Sequence, residues 1–281
     1  MTVDLSGRNG RASPGLPRLG GDLEAEYWQA GAGEVTCFAL EAPDDPGGDP
    51  APVAEQLYSE LIDRLRASDF AYPLRLWNYF PAINSGAGDS ERYRRFCLGR
   101  GRALEAAGLL EARMCAATAI GGTEPVMRLI VLAGRYPGVS IENPRQGSAW
   151  DYPRDYGPRS PAFARATAVP LVNGRAGLLI SGTASVVGHA TAHPGDCPAQ
   201  TGEAADNLEA LLETASVQLR RPGLARFDDQ SLARVYVRDP AHWPQVEATL
   251  RARWPRLKFA GLKGDICRAD LLVEIEAWHC G

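Results

Sequence analysis

The sequence predicts an α+β chain made of two units with similar element order. Three observations predict it. Residues 34–133 alternate strand and helix patterns. Residues 134–165 interrupt that pattern with prolines and glycines. The alternation then restarts at Gly177 and runs to the C-terminal region. No residue-level repeat accompanies the repeated order.

The first unit opens with a strand at Glu34–Leu40 and a turn-rich loop at Asp44–Pro52. Val53, Leu57, Leu61 and Leu65 then recur at helical spacing, which predicts a helix over Val53–Arg66. Pro73–Tyr79 reads as a strand. Ser90 is placed to cap a helix over Glu91–Leu110. Ala116–Gly122 and Val126–Ala133 read as strands joined by a glycine-rich turn. In the second unit the order is a strand at Gly177–Ser181, a helix at Thr201–Thr214, a strand at Ser231–Arg238 and a helix at His242–Trp254. The last predicted strand spans Gly264–Trp278.

The bulk numbers narrow the function classes. A chain of 281 residues is long enough to bury a sizeable core. Its net charge of −4 gives no basic footprint for nucleic acid. No stretch reaches the ~18 apolar residues of a membrane span. The opening MTVDLSGRNGRASPG has no apolar core of a secretory signal, so a cytoplasmic protein is expected, with residues 1–33 a flexible lead-in. The cysteines at 37, 97, 115, 197, 267 and 280 form no CxxC pair and have no histidine at ligand spacing, which reads as free thiols.

Chemistry concentrates in the last strand and in the central break. On the last strand Leu271, Val273 and Ile275 share one face, and Leu272, Glu274 and Glu276 share the other. A carboxylate facing a partly closed cleft loses hydration and gains proton affinity. Such a glutamic acid donates protons near neutral pH. The competing reading is a solvated outer face. The segment Asn143–Arg165 carries Arg145, Arg154, Arg159 and Arg165, with Tyr152 and Tyr156 between them. Guanidinium groups bind carboxylates through paired hydrogen bonds, and prolines stiffen the segment, so it suits a small dianionic acid. An exposed linker is the competing reading. Ser181-Gly-Thr-Ala-Ser185 offers small residues for close approach of a ligand, but it matches neither a phosphate loop nor a hydrolase elbow. His189 and His193 sit in a turn without a third ligand, which favours loop hydrogen bonding over metal. Whether His189 touches substrate or braces the loop is open. Cys267 reads as a wall residue rather than a nucleophile, since no activating base is placed beside it.

Four runs in the second half resemble the Rid/YjgF family: Gly177–Ala184, Gln200–Glu213, Ala233–Pro240 and Leu272–Ala277. A narrower resemblance spans most of the chain. Leu74–Asn84, Arg95–Arg100, Ala116–Gly122, Glu142–Gln146, Tyr152–Ser160 and Ser181–His189 are similar to the chorismatase family. The resemblance implies two tandem Rid-like units with mixed sheets and helices packed on one face. A degenerate first unit would occupy 34–150. A second unit, 151–281, would carry most of the active site. The first half is some tens of residues shorter than is usual for that family.

The resemblance also implies an activity: cleavage of the enolpyruvyl ether of chorismate to pyruvate plus 3-hydroxybenzoate or a dihydrodiol. The family's acid matches Glu274. Its carboxylate-binding and pocket positions match Tyr152, Arg154, Tyr156, Arg159 and Arg165, with Arg154 and Arg159 expected to hold the carboxylates first. Its small pocket residues match Gly182, next to Thr183, and Cys267; Gly and Cys at those places imply the 3-hydroxybenzoate route, whereas Ala implies the diol. No cofactor and no metal are implied, because protonating an enol ether needs only an acid and placed charge. Chorismate is the expected partner, with no nucleic acid or membrane, in a monomer or a homotrimer. The other readings are Rid-type imine hydrolysis and a non-catalytic small-acid binding module.

Overall fold

The computed structural model describes residues 18–21, 34–109, 115–171 and 175–281. In chain order the first unit comprises β1 (Arg18–Gly21), β2 (Val35–Pro43), α1 (Ala51–Arg66), β3 (Tyr72–Pro81), α2 (Arg92–Ala106), β4 (Ala116–Gly122) and β5 (Val126–Gly134). The second comprises β6 (Val139–Ile141), β7 (Ala166–Pro170), β8 (Ala176–Ala184), β9 (Val186–Val187), β10 (Ala190–Thr191), α3 (Cys197–Leu219), β11 (Leu232–Val237), α4 (Trp243–Arg253), β12 (Lys258–Lys263), β13 (Asp265–Ile266) and β14 (Val273–Cys280).

The duplication expected from element order is visible in the sheets. The first sheet runs β13-β4-β3-β5-β2, and the second runs β1-β12-β11-β14-β8-β7-β6. Within them β4-β3-β5-β2 and β12-β11-β14-β8 follow the same path. In each, the pair flanking the second helix of its unit is parallel, β3 with β4 and β11 with β12; the remaining pairs are antiparallel. The chain is therefore α+β, two tandem units each with a mixed sheet and two helices on one face.

The two units exchange edges. β1 pairs with β12 of the second sheet, and β13 pairs with β4 of the first. β6, which the expected 34–150 unit would include, pairs with β7 in the second sheet, so the sheet boundary falls before Val139. Apart from Arg18–Gly21, the expected lead-in 1–33 lies outside the described residues.

Helices cover the outer face of each sheet, and the bare inner faces pack on each other. Leu57, Leu61 and Leu65 of α1 and Phe96 and Leu104 of α2 are buried against Leu76, Phe80, Leu129 and Val131 of the first sheet. Gly99 lets the helices meet, because a methyl there would overlap the Ala51 carbonyl. Leu208, Leu211 and Leu212 of α3 and Val246 and Leu250 of α4 bury Val235, Val273 and Ile275. Between the sheets lie Trp77, Tyr79, Ile120, Leu179 and Tyr236. Burial at about 25 cal/mol per Å² of apolar surface makes these three layers of contact the main stabilising term.

Some predicted ends move. α3 extends well beyond the predicted Thr201–Thr214. Asp196 caps it by accepting from Ala199 N, at 3.0 Å, and Arg220 ends it in a left-handed conformation. Ser90 does not cap α2. Its hydroxyl donates to Ala87 O within a 3₁₀ turn, and the helix begins at Arg92. The last strand is shorter at its start than predicted. Gly264–Leu272 instead crosses to the first sheet through β13 and returns.

Candidate active site

The two faces read from the last strand are the two faces observed. Val273 and Ile275 of β14 point into the helix-covered core, and Glu274 and Glu276 point between the sheets. Both carboxylates are buried, Glu274 at 4% exposure and Glu276 at 1%. β14 pairs with β8 through a register shift between Ile275 and Ala277. Two residues of β8, Ser181 and Gly182, then oppose one of β14, which is a bulge. Both face inward and dock on β4. Ser181 Oγ accepts from Ala117 N at 3.0 Å, and Gly182 N donates to Thr118 Oγ1 at 3.0 Å. Gly182 leaves room for the acid, because a methyl there would overlap Glu274 Oε1.

A cavity of about 420 Å³ opens beside this bulge. That volume suits a small organic ligand. Glu274, Gly182 and Thr118 form its floor, and Tyr93 and Arg100 of α2 one wall. Tyr152, Tyr156, Phe163 and Arg165 of the central segment form another. The loop carrying Cys267 and Arg268 closes the remaining side. Arg238 holds that loop by donating to Leu271 O, Ile266 O and Arg268 O at 2.9–3.1 Å. Gln200 holds its end, donating to Asp270 O and accepting from Leu272 N, both at 2.8 Å. The central segment is pinned by reciprocal backbone bonds, Gly147 N to Gly188 O and Gly188 N to Arg145 O. Arg268 stacks on Tyr156, 4.2 Å from its ring centre, and donates to His189 O at 2.8 Å. His189 bonds the Tyr156 hydroxyl at 3.3 Å.

The neighbouring acids differ in charge state. Burial, then the negative charge of Glu276, push the Glu274 carboxyl up to about 8. Its carboxyl makes no hydrogen bond among the described residues, and the positive charges of Arg75 and Arg165 offset its lost hydration only in part. Glu276 is also buried, yet the Arg75 and Arg234 guanidinium groups hold its carboxyl below the usual range. Burial and Glu274 push the Cys267 thiol far up, which fits a wall residue and not a nucleophile.

Of the expected site residues, Glu274, Tyr152, Tyr156, Arg165, Gly182 and Cys267 line one cavity. Arg165 is 4% exposed and donates to Gly147 O at 2.6 Å and Tyr152 Oη at 2.9 Å. Its Nε is buried without a partner. Three expected residues lie elsewhere. Arg154, with its side chain 64% exposed, pairs with Asp89. Arg159 lays its stem on Gly101 and pairs with Glu105. Strand alternation turns Thr183 to the opposite face from Gly182, where its hydroxyl donates to Ser181 O. The expectation that Arg154 and Arg159 lead in holding carboxylates is therefore corrected. Each is held at the surface by a carboxylate of the first unit, and Arg165 is the buried arginine of the segment. Since an exposed ion pair contributes little, Arg154→Ala is expected to leave the Michaelis constant within about twofold. Steady-state kinetics checks this.

Sequence reasoning missed Arg100, Arg268, Thr118 and Tyr93 as lining residues. Arg100 ends the Arg95–Arg100 run, Thr118 lies in Ala116–Gly122 and Arg268 follows Cys267, so the first two stood inside runs already singled out. Arg100 donates to Pro161 O, and its Nε is buried without a partner.

Fold and cavity together define a class: a two-unit α+β protein with a buried acid on the floor of a small-molecule pocket. Residues 21–133 match the family described as Chorismatase FkbO/Hyg5-like, N-terminal. A 3-hydroxybenzoate synthase of Streptomyces hygroscopicus is 38% identical over 270 residues, covering 91% of this chain and 78% of that protein. A chorismatase of the same organism is 39% identical over 233 residues, covering 80% of this chain and 67% of that protein. The crystal structure of a chorismatase superposes with a TM-score of 0.79 at 35% identity, covering 87% of this chain and 74% of that one. The chain belongs to the chorismatase family, and it is an enzyme. Among its described residues no helix is long and apolar enough to cross a membrane.

Proposed function

We propose that the enzyme cleaves chorismate to pyruvate and 3-hydroxybenzoate, with Glu274 as the acid. The observation that carries this is a carboxyl held protonated to about 8 on the floor of a cavity with a buried arginine in its wall. Glu274 donates its proton to the terminal methylene of the enolpyruvyl group, leaving an oxocarbenium ion. A water adds to that ion, and the hemiketal breaks its bond to the ring oxygen, releasing pyruvate and leaving a dihydrodiol. Alternatively the neighbouring ring hydroxyl attacks the ring carbon that bears the ether, the C–O bond there breaks with pyruvate as the leaving group, and the resulting epoxide opens and loses a ring proton to give 3-hydroxybenzoate. Gly182 and Cys267 support the second outcome through the resemblance, as does the similarity to a 3-hydroxybenzoate synthase. Arg165 and Arg100, each with an unpartnered Nε, are the groups we assign to the substrate carboxylates. We further assign most of the active site to the second unit, the enzyme to the cytoplasm, and a monomer or a homotrimer as its assembly.

The test is to mix the purified protein with chorismate and assay pyruvate. Release of pyruvate supports the assignment. Its absence would overturn the assignment and favour another reaction at the same pocket, such as imine hydrolysis. Chromatography of the aromatic product separates 3-hydroxybenzoate from the diol.

The pH dependence follows from the acid. Glu274 must carry its proton to act, and its carboxyl is raised to about 8, so turnover is expected to hold at neutral pH and fall as pH rises through about 8. A profile already falling between pH 4 and 5 would be that of an ordinary carboxylate and would remove Glu274 from this role.

A further inference from the structure

Glu276 plays no part in the chemistry proposed above, yet it is the most heavily bonded carboxylate of the inter-sheet layer. Five donors converge on it: Arg75 Nη2 and Thr118 Oγ1 on Oε2, both at 2.6 Å, and Trp77 Nε1, Arg234 Nη1 and Tyr236 Oη on Oε1, at 3.0–3.1 Å. They come from β3, β4 and β11, so both sheets contribute. A buried carboxylate of this kind adds little stability compared with apolar packing, which makes a purely structural account weak. Its neighbour explains it better. Thr118 Oγ1 bonds Glu276 on one side and accepts from Gly182 N on the other, and Gly182 is the surface against which Glu274 Oε1 rests. The β8 bulge sets Glu276 opposite Ser181 and Gly182.

We propose that Glu276 is a positioning residue for Glu274: set opposite the β8 bulge, it holds Thr118, whose bond fixes the Gly182 backbone against the acid, and it places a fixed negative charge beside that acid. This rests on the assignment of Glu274 as proton donor.

Glu276 faces Arg75 and Trp77 from β3, Thr118 from β4, and Arg234 and Tyr236 from β11, with Cys37 of β2 near Arg234. The cavity that Glu274 floors is faced by Arg165 from the central segment, by Cys267, Arg268 and Asp270 from the closing loop, and by Glu91, Tyr93, Arg94 and Arg100 at the start of and along α2. After burial, the Glu276 charge is the largest influence raising Glu274; Arg75 and Arg165 oppose it. Removing the Glu276 charge also leaves Arg75 uncompensated. Both changes favour the ionised form of Glu274. Removing the Arg75 charge does the reverse.

The experiment measures two titrations in wild type, Glu276→Gln and Arg75→Gln. One is the alkaline limb of pyruvate release. The other is the 13C carboxyl shift of Glu274 in ligand-free, 13C-glutamate-labelled protein, assigned by its loss in Glu274→Gln. In Glu276→Gln the midpoint is expected about one pH unit or more lower. In Arg75→Gln it is expected higher. A purely structural role would lower yield or kcat in both without moving the midpoints in opposite directions. Midpoints that stay put, or move the same way, overturn the proposal. Should only one variant fold, the direction of its single shift decides. The 13C titration needs no substrate, so a wild type that releases no pyruvate would overturn the assigned reaction and leave the Glu276 result standing by itself.

Discussion

Glu274→Gln is expected to release pyruvate from chorismate about 10²–10⁴-fold more slowly than wild type, the usual contribution of a general acid. Substrate binding is expected to be largely kept, since the amide is isosteric and the cavity wall is unchanged. Equilibrium binding of chorismate, followed by calorimetry, separates the two effects. The same variant makes a stability prediction. Folding raises Glu274 from its ordinary value near 4.5 to about 8, so the folded protein binds an extra proton between those values. The folded state therefore loses stability as pH rises through that window. The amide has no proton to lose. Thermal unfolding at pH 8 should find the variant at least as stable as wild type. Near-normal pyruvate release would remove Glu274 as the acid. A variant markedly less stable than wild type at pH 8 would mean that the carboxyl is not held protonated.

Arg165→Ala is expected to lower kcat/KM by about 10²-fold or more, mainly through the Michaelis constant. Losing one partner of a buried charge pair costs about 2–5 kcal/mol. Arg165 supports this role through its burial, its place in the cavity wall and its unpartnered Nε. It also braces the wall, donating to Gly147 O and Tyr152 Oη. Arg165→Lys separates these effects, because lysine keeps the charge but loses the planar fork, and an intermediate constant is expected. Arg165 lowers the proton affinity of Glu274, so its removal cannot reduce turnover by deprotonating the acid. An unchanged Michaelis constant in Arg165→Ala would assign the carboxylates to other groups.

Glu276 shows where reading a strand pattern stops. Period-two spacing put Glu274 and Glu276 on one face, and the structure keeps them there. Spacing says nothing about their different charge states. Those depend on Arg75 and Arg234, nearly 160 residues apart in sequence, donating hydrogen bonds to one carboxylate and not the other. The arginines of the central segment teach the same lesson. Arg154, Arg159 and Arg165 are equivalent as residue types in a stiff loop. Asp89 and Glu105 of the first unit hold two of them at the surface, and the bond of Ser181 N to Arg165 O seats the third beside the β8 bulge.

By itself the sequence determined the helices and most of the strands, the repeated order and the acid-bearing face of β14, because propensity and hydrophobic period are local. It also carried the runs that resemble the chorismatase family. Only the tertiary structure decided what sets the proton affinities of the two carboxyls apart, which of Arg154, Arg159 and Arg165 lines the cavity, and that β6 and β13 join the sheets they do. Those outcomes depend on desolvation and on charges brought together across two sheets, and such forces act through distance in space rather than along the chain.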